Sequence, residues 1–244
     1  MEKLTLEHFI HSYECGPDGK LRLLALFNIL QNIADLHADN LGLGYQNFIG
    51  KNLAWVGASY AVHIDKRPSW GDKVDLTTWP SDKTPVCAIR DFILKDKEGK
   101  TLMTATSQWA LIDITTGRPQ PLKRHIENLK AVPERALNSD FPTLSVPQKI
   151  DFEKRFYVRY DDIDINKHVN NAIYPVWASE AVPNDFRQSH EPEDINISFR
   201  HPAFFGDEIM VETQIDGNET LHHIMSLDKT KEFSKVKIKW KQLT

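Results

Sequence analysis

The densest chemistry in the chain lies in Tyr160-Asp161-Asp162-Ile163-Asp164-Ile165-Asn166-Lys167-His168-Val169-Asn170-Asn171, which holds carboxylates, amides and an imidazole side by side. Asp162, Asp164, Asn166 and His168 alternate with other residues, so an extended segment displays all four on one face and lets them converge on one site. A carboxylate can activate water, an amide can donate to a carbonyl oxygen, and an imidazole can orient either partner or shuttle a proton. Hydrolysis of a carbonyl derivative needs those parts. Asn170 and Asn171 suit a helix N-cap, and the first N–H groups of the helix that follows offer a place for an oxyanion. Asp and Asn also dominate polar loops that only cap and turn, so residue types alone leave both uses open.

Other candidates are weaker. Gly57-Ala58-Ser59-Tyr60-Ala61 has some likeness to a nucleophile elbow, but it falls inside an alternating strand pattern and not at a strand-to-helix turn. Cys15 and Cys87 could pair with His168 and Asn166, yet neither stands at a helix start or beside a basic cluster that would lower its pKa. With no Cys-x-x-Cys, two reduced thiols are expected in place of a disulfide framework or a thiolate metal site. His222 and His223 point to opposite faces of a strand and His37 has no partners at usable spacing, so no metal is expected. Lys235, Lys237, Lys239 and Lys241 line one face opposite Val236, Ile238 and Trp240. That pattern indicates a solvated or edge-protecting face, with docking of an acidic carrier as the other use.

The elements that must position the 160–171 segment form a repeating plan. Leu23, Leu26, Phe27, Leu30, Ile33 and Ala34 recur at helical spacing, and Leu24, Ala25, Ile29 and Leu36 extend the apolar surface, so a largely buried helix is expected over about 23–39. The period then changes to two at Val56, Ala58, Tyr60, Val62 and Ile64, followed by strand-like runs at 73–79, 86–95 and 101–114 with short turns between them. This is an α+β unit with an antiparallel sheet. Residues 131–147 carry Pro133, Pro142 and Pro147 with little periodicity, the profile of a connector. Beyond it the signals return in the same order: a helix near 174–182, which must start close to Tyr174 because Pro175 is harmless only in a first turn, then strands at 208–215, 221–228 and 234–243. Gly71-Asp72 with Gly206-Asp207, Asp96 with Asp228, and Trp109 with Trp240 keep their order at nearly constant spacing, which indicates an internal repeat.

Composition bounds the function. The 244 residues, 41% hydrophobic, can bury one large core or two modest ones. A formal charge of −4 gives no global positive field, so nucleic acid is not an expected partner. No run of about 18 apolar residues occurs and the first ten residues have neither a basic n-region nor a long apolar h-region, so a cytoplasmic protein with no membrane span is expected.

Asp164-Ile165-Asn166-Lys167-His168-Val169-Asn170-Asn171, followed by Tyr174, Trp177 and Glu180, resembles the second-domain motif of acyl-acyl-carrier-protein thioesterases. Asp18-Gly19-Lys20-Leu21, the helix reaching His37, Asn52-Leu53-Ala54-Trp55, Pro68-Ser69-Trp70-Gly71-Asp72 and Trp79-Pro80 resemble the first half of that family, so the likeness covers nearly the whole chain. The resemblance implies two tandem hotdog domains, each a long helix wrapped by an antiparallel sheet. Residues 1–130 would shape the acyl pocket, 131–150 would link, and 151–244 would carry catalysis. It implies hydrolysis of a fatty acyl thioester on acyl carrier protein without cofactor or metal, with Asp164, Asn166 and His168 catalytic and Asn170 and Asn171 binding substrate. In two respects the chain departs from the pattern: Pro175 stands within the helix, and where the family often has Glu-Cys or Glu-Ala on the strand after the helix, Pro202-Ala203 stands here. Asp164 is then the remaining candidate for general base or nucleophile, with Asn166 positioning the carbonyl and His168 orienting the carboxylate or protonating the leaving thiolate. An acyl-coenzyme A thioesterase, a hotdog dehydratase and a non-catalytic acyl-binding protein are the alternatives. Single hotdog domains usually pair through their sheets and a fused pair can satisfy that within one chain, so a monomer or a homodimer fits.

Overall fold

A computed structural model describes residues 2–126 and 129–243, leaving Met1, Glu127, Asn128 and Thr244 outside the described residues. The chain separates into two compact units, Met1–Asp140 and Phe141–Thr244.

The first unit runs β1 (Leu4–Phe9), α1 (Leu23–Asn40), α2 (Tyr45–Ile49), β2 (Leu53–Ile64), β3 (Lys73–Lys83), β4 (Cys87–Asp96) and β5 (Thr101–Asp113). Its strands lie in the order β1-β3-β4-β5-β2, every pair antiparallel. The helical stripe expected from Leu23 to Ala34 is buried, with Leu30 wholly so. Leu26 and Leu30 face Val74, Leu76, Leu94 and Met103 of the sheet, with no room left between them for water. Each such leucine contributes roughly 1.5–3 kcal/mol by leaving water.

The second unit runs β6 (Phe152–Tyr157), α3 (Ile173–Glu180), α4 (Asn184–Ser189), β7 (His190–Phe199), β8 (Glu208–Asp216), β9 (Glu219–Ser226) and β10 (Glu232–Gln242). Its order is β6-β8-β9-β10-β7, again antiparallel throughout. Counted within each unit, both sheets run first, third, fourth, fifth, second. The landmarks match in detail as well. Gly71 and Gly206 both take positive φ, 89° and 85°, and the next residue caps the turn in each, Asp72 accepting the Ser69 N–H at 2.8 Å and Asp207 the Phe204 N–H at 2.9 Å.

Pro175 falls in the first turn of α3, where its missing N–H costs nothing. The strands β1, β6 and β7 and the short helix α4 were not legible from periodicity. β10 is flanked on both sides, by β7 and β9, so its lysine face protects no edge in this unit. Those lysines meet carboxylates: Lys237 with Glu219 at 2.9 Å, Lys239 with Glu193 at 2.7 Å and Lys241 with Glu191 at 3.2 Å.

The proline-rich connector has no regular structure, but it is anchored. Val132 N–H donates to Pro80 O at 2.9 Å, Trp79 Nε1 to Glu134 O at 2.8 Å, and Arg135 Nε to Asp91 Oδ2 at 2.9 Å, all within the first unit. On the other side, Gln148 N–H donates to Gln214 Oε1 at 2.8 Å within the second.

Candidate active site

The 160–171 segment is a tight hairpin and not an extended strand. A single 3-10 turn over Tyr160–Asp162 leads in, and Ile163 bridges Val169. Between them Asp164 N–H donates to His168 O at 2.9 Å and Lys167 N–H to Asp164 O at 3.0 Å, with Lys167 in left-handed backbone at φ 65°. That is a three-residue loop closed by a left-handed residue, a common hairpin connection. Asp164, Asn166 and His168 are therefore brought together by the turn and not by strand alternation.

Asp162 does not join them. Its carboxylate, 2% exposed, accepts the Arg159 N–H at 2.9 Å and the Arg159 guanidinium at 2.6 Å, closing a capping box on the 3-10 turn. The first unit explains why. There Glu14 caps His11 N–H at 2.8 Å, Cys15 bridges Leu21, Gly16 N–H donates to Lys20 O at 2.9 Å and Gly19 N–H to Gly16 O at 3.0 Å, with Gly19 at φ 71°. The two turns share one backbone. Asp162 takes the place of Glu14, so its role belongs to the fold. Asp164, Asn166 and His168 take the places of Gly16, Asp18 and Lys20, so they are what the second unit adds.

Asp164 Oδ1 accepts the Asn166 N–H at 2.8 Å and Oδ2 the Asn166 Nδ2 at 3.3 Å, so the carboxylate fixes both the turn and the amide. His168 Nδ1 faces acceptors alone, Val169 O at 3.2 Å and Asp164 Oδ1 at 3.9 Å. The neutral imidazole therefore carries its proton on Nδ1 and keeps a lone pair on Nε2, the form suited to taking a proton from water. Asp164 is 12% exposed and His168 28% exposed at the side chain, so water can reach the ring.

Asn170 Oδ1 accepts the Ala172 N–H at 2.9 Å and Asn170 O accepts the Ile173 N–H at 2.9 Å, so the entry to α3 is capped from Asn170. With Pro175 lacking an N–H, that helix start offers an oxyanion fewer donors than the N-cap pattern suggests. The Asn171 side chain makes no hydrogen bond among the described residues.

Tyr174 is a group that sequence reasoning quoted only as part of a resemblance. Its buried hydroxyl accepts the Ala203 N–H at 3.2 Å, and Ala203 O accepts the Val169 N–H at 2.9 Å, so one residue joins α3 to the 160–171 hairpin. Burial pushes the phenol up to about 12, with the negative charges of Asp207 and Asp164 acting in the same direction and the Ala203 hydrogen bond opposing. It stays protonated and can donate.

The remaining candidates have structural roles. Ser59 lies inside β2. Burial is the main cause raising both Cys15 and Cys87 thiols, the wrong direction for a nucleophile. Glu180 pairs with Arg187 and, at 3.7 Å, Lys154. His222 is enclosed between Thr213 and Thr220, and His223 pairs with Glu232 at 2.8 Å. Among the described residues no group of three or more His, Cys, Asp or Glu could hold a metal, and no helix is long and apolar enough to cross a membrane. The first unit holds an open cleft lined by Ala34, Ala38, Leu43, Trp55, Trp109 and, on one wall, Arg90. Burial lowers that guanidinium to about 10, still charged near neutrality, and Nη1 meets His37 Nδ1 at 2.9 Å.

Comparison with known proteins gives the same assignment to both halves. A model of the acyl-ACP thioesterase N-terminal domain matches residues 2–129, and one of the acyl-ACP thioesterase C-terminal domain matches residues 146–242. A palmitoyl-acyl carrier protein thioesterase of Arabidopsis thaliana is 31% identical over 78% of this chain and 50% of its own length. A dodecanoyl-[acyl-carrier-protein] hydrolase of Cinnamomum camphora is 26% identical over 95% of this chain and 66% of its own. The chain thus spans about half to two thirds of these curated relatives. The solved 12:0-ACP thioesterase of Umbellularia californica shares the hotdog fold, with a TM-score of 0.89 at 24% identity over 100% of this chain and 98% of that one. Matched by both domain models, in order and over nearly all its length, the chain belongs to the acyl-ACP thioesterase family.

Proposed function

We propose that this chain hydrolyses the thioester of a fatty acyl group borne by acyl carrier protein, releasing fatty acid and the carrier thiol. The observation that supports it best is the contrast between two turns of one backbone: residues 16–20 make the turn with Gly, Asp and Lys, while residues 164–168 make it with Asp164, Asn166 and His168. In this scheme a water molecule gives a proton to His168 Nε2 as its oxygen adds to the thioester carbonyl carbon. The Asn166 N–H not held by Asp164 donates to the carbonyl oxygen, the C–S bond breaks, and the thiolate takes the proton from the imidazolium. Asp164, with both oxygens engaged by Asn166, acts as a positioning residue for that amide, a change from the base or nucleophile expected of it. No covalent Ser or Cys step is needed, since a thioester carbonyl is already electrophilic. Asn170 shapes the helix entry and Asn171 is left to contact substrate.

The division of labour follows: residues 1–130 supply the acyl pocket, for which the first unit's cleft is the natural lining, 131–150 link, and 151–244 carry the reaction. Free-thiol release from acyl carrier protein and acyl-coenzyme A thioesters across chain lengths tests this. Faster release from the coenzyme A series would make the chain an acyl-coenzyme A thioesterase. Tight acyl binding with no thiol released would make it an acyl-binding protein.

A further inference from the structure

Lys237, Lys239 and Lys241 of β10 are neutralised by carboxylates on neighbouring strands. Lys167 and Lys231 differ. Among the described residues neither meets a carboxylate at ion-pair distance. Lys231 Nζ donates to Pro202 O at 2.9 Å and lies 5.3 and 5.0 Å from the ring centres of Phe204 and Phe233, so the ammonium is fixed without being neutralised. Pro202 directly precedes Ala203, whose carbonyl holds Val169 beside His168. Lys167 sits in the catalytic turn itself, in left-handed backbone where the first unit has Gly19. A side chain kept where the backbone favours glycine points to a use for that side chain. In the same two chain segments, 160–167 and 202–205, Tyr160, Ile165, Phe204 and Phe205 are exposed, Tyr160 and Phe205 meeting edge-on at 6.1 Å.

One ammonium group fixed beside apolar rings, at Lys231, and a second lysine in the neighbouring turn, at Lys167, neither neutralised, suit a ligand with a phosphate at one end and an uncharged arm reaching the reacting atom. We propose that Lys167 and Lys231 bind the phosphate of the phosphopantetheine-type arm that presents the acyl thioester to His168, with Tyr160 and Phe205 flanking the arm. This rests on the hydrolase function proposed above. Carboxylates on the carrier's own surface are the competing ligand for the same charges.

The test uses thioesters of one fatty acid on pantetheine, 4′-phosphopantetheine, coenzyme A and acyl carrier protein, read by thiol release. The parent should favour acyl-phosphopantetheine over acyl-pantetheine in kcat/KM by about tenfold or more, and Lys231→Gln and Lys167→Gly should each cut that ratio by roughly threefold or more. Lys167→Gly suits the turn, so it keeps the test open if Lys231→Gln folds poorly. Lys239→Gln, which removes a neutralised lysine, should leave the ratio unchanged. A parent ratio near one overturns the proposal, as do variants that slow both small substrates alike, the signature of a structural role. Losses confined to acyl carrier protein also overturn it and assign the lysines to the carrier's carboxylates. Thiol released from none of the four overturns the hydrolase function together with this site.

Discussion

Asp162 and Asp164 are two residues apart, chemically identical, and assigned opposite roles by their surroundings, so exchanging each for asparagine separates fold from chemistry. In Asp162→Asn one oxygen can still cap Arg159 N–H, but an amide N–H₂ then faces the guanidinium that the carboxylate now grips at 2.6 Å. Arg159 is 73% exposed at its side chain, so the lost ion pair is worth at most about 1 kcal/mol after solvent screening. A donor facing a donor at a buried site adds roughly 1–3 kcal/mol. The total is about 2 kcal/mol, or roughly 4–8 °C in Tm for a chain of this size. Turnover of the folded enzyme should stay within about threefold of the parent.

Asp164→Asn keeps the 2.8 Å bond from Asn166 N–H through its remaining oxygen and loses the weaker 3.3 Å contact, so its stability cost should be below about 1 kcal/mol. The charge beside His168 disappears, and the amide of Asn166 is no longer held. Turnover should fall by about 10²-fold or more. Thermal melts and thiol-release kinetics on both variants decide the matter. Asp162→Asn inactive at an unchanged Tm, with Asp164→Asn near the parental rate, would refute the division drawn from the two turns.

Asn166→Ala and His168→Ala should each lower kcat by about 10²-fold or more with the melt preserved; both within about threefold of the parent would remove them from the mechanism. Burial holds His222 down to about 3 against roughly 6.5 in an unfolded chain, so as pH falls from 6.5 the unfolded state takes up a proton that the folded state refuses, and stability is lost progressively toward pH 3. Between pH 6.5 and 4.5 this amounts to about 2–3 kcal/mol, so denaturant melts of His222→Gln should lose correspondingly less over that window than the parent. Arg135→Ala leaves the fully buried Asp91 with the Ala136 N–H alone on Oδ2 and should destabilise the first unit by about 3 kcal/mol, seen as a lower Tm. Pro202→Glu restores the carboxylate that the family often carries, at the position matching Arg67, which pairs with Asp18 at 2.6 Å in the first unit. With His168 serving as base, kcat should rise by less than about threefold, and a tenfold rise would show a native site short of a carboxylate.

Much of the fold could be inferred from the sequence because its strongest signals are local. α1 announces itself by an apolar stripe at helical spacing, and β3 to β5 and β8 to β10 by alternation between turn residues. What stayed hidden depends on partners far along the chain. β7 opens His190-Glu191-Pro192-Glu193-Asp194, a run poor in strand formers. It is a strand because β10 supplies the opposite charges, Lys241 to Glu191 and Lys239 to Glu193, and because the register slips at Trp240, across from Pro192, where the missing N–H does no harm. The lysine face of β10 and the acidic start of β7 are thus one feature, visible only once the strands are paired.

The 160–171 segment is built differently from its alternation of polar residues, and the difference bears on the proposed mechanism. Alternation implied an extended segment with Asp162, Asp164, Asn166 and His168 on one face, whereas Asp162 is a cap and the other three converge through a turn closed by Lys167. An extended strand would have left Asp164 free to act on water directly. In the hairpin its carboxylate is the acceptor on which the turn is built, and in the same act it orients Asn166 and lies near His168. Capping and the catalytic use proposed for these residues are then not rivals. The first unit shows that the backbone makes this turn with a glycine in the left-handed position and a carboxylate at Asp18, and the second unit places its carboxylate at the turn's first residue, where it both closes the loop and sits beside an imidazole. Because closure of the loop and orientation of Asn166 draw on the same carboxylate, the turn gives up little stability to hold a charge in a partly buried site.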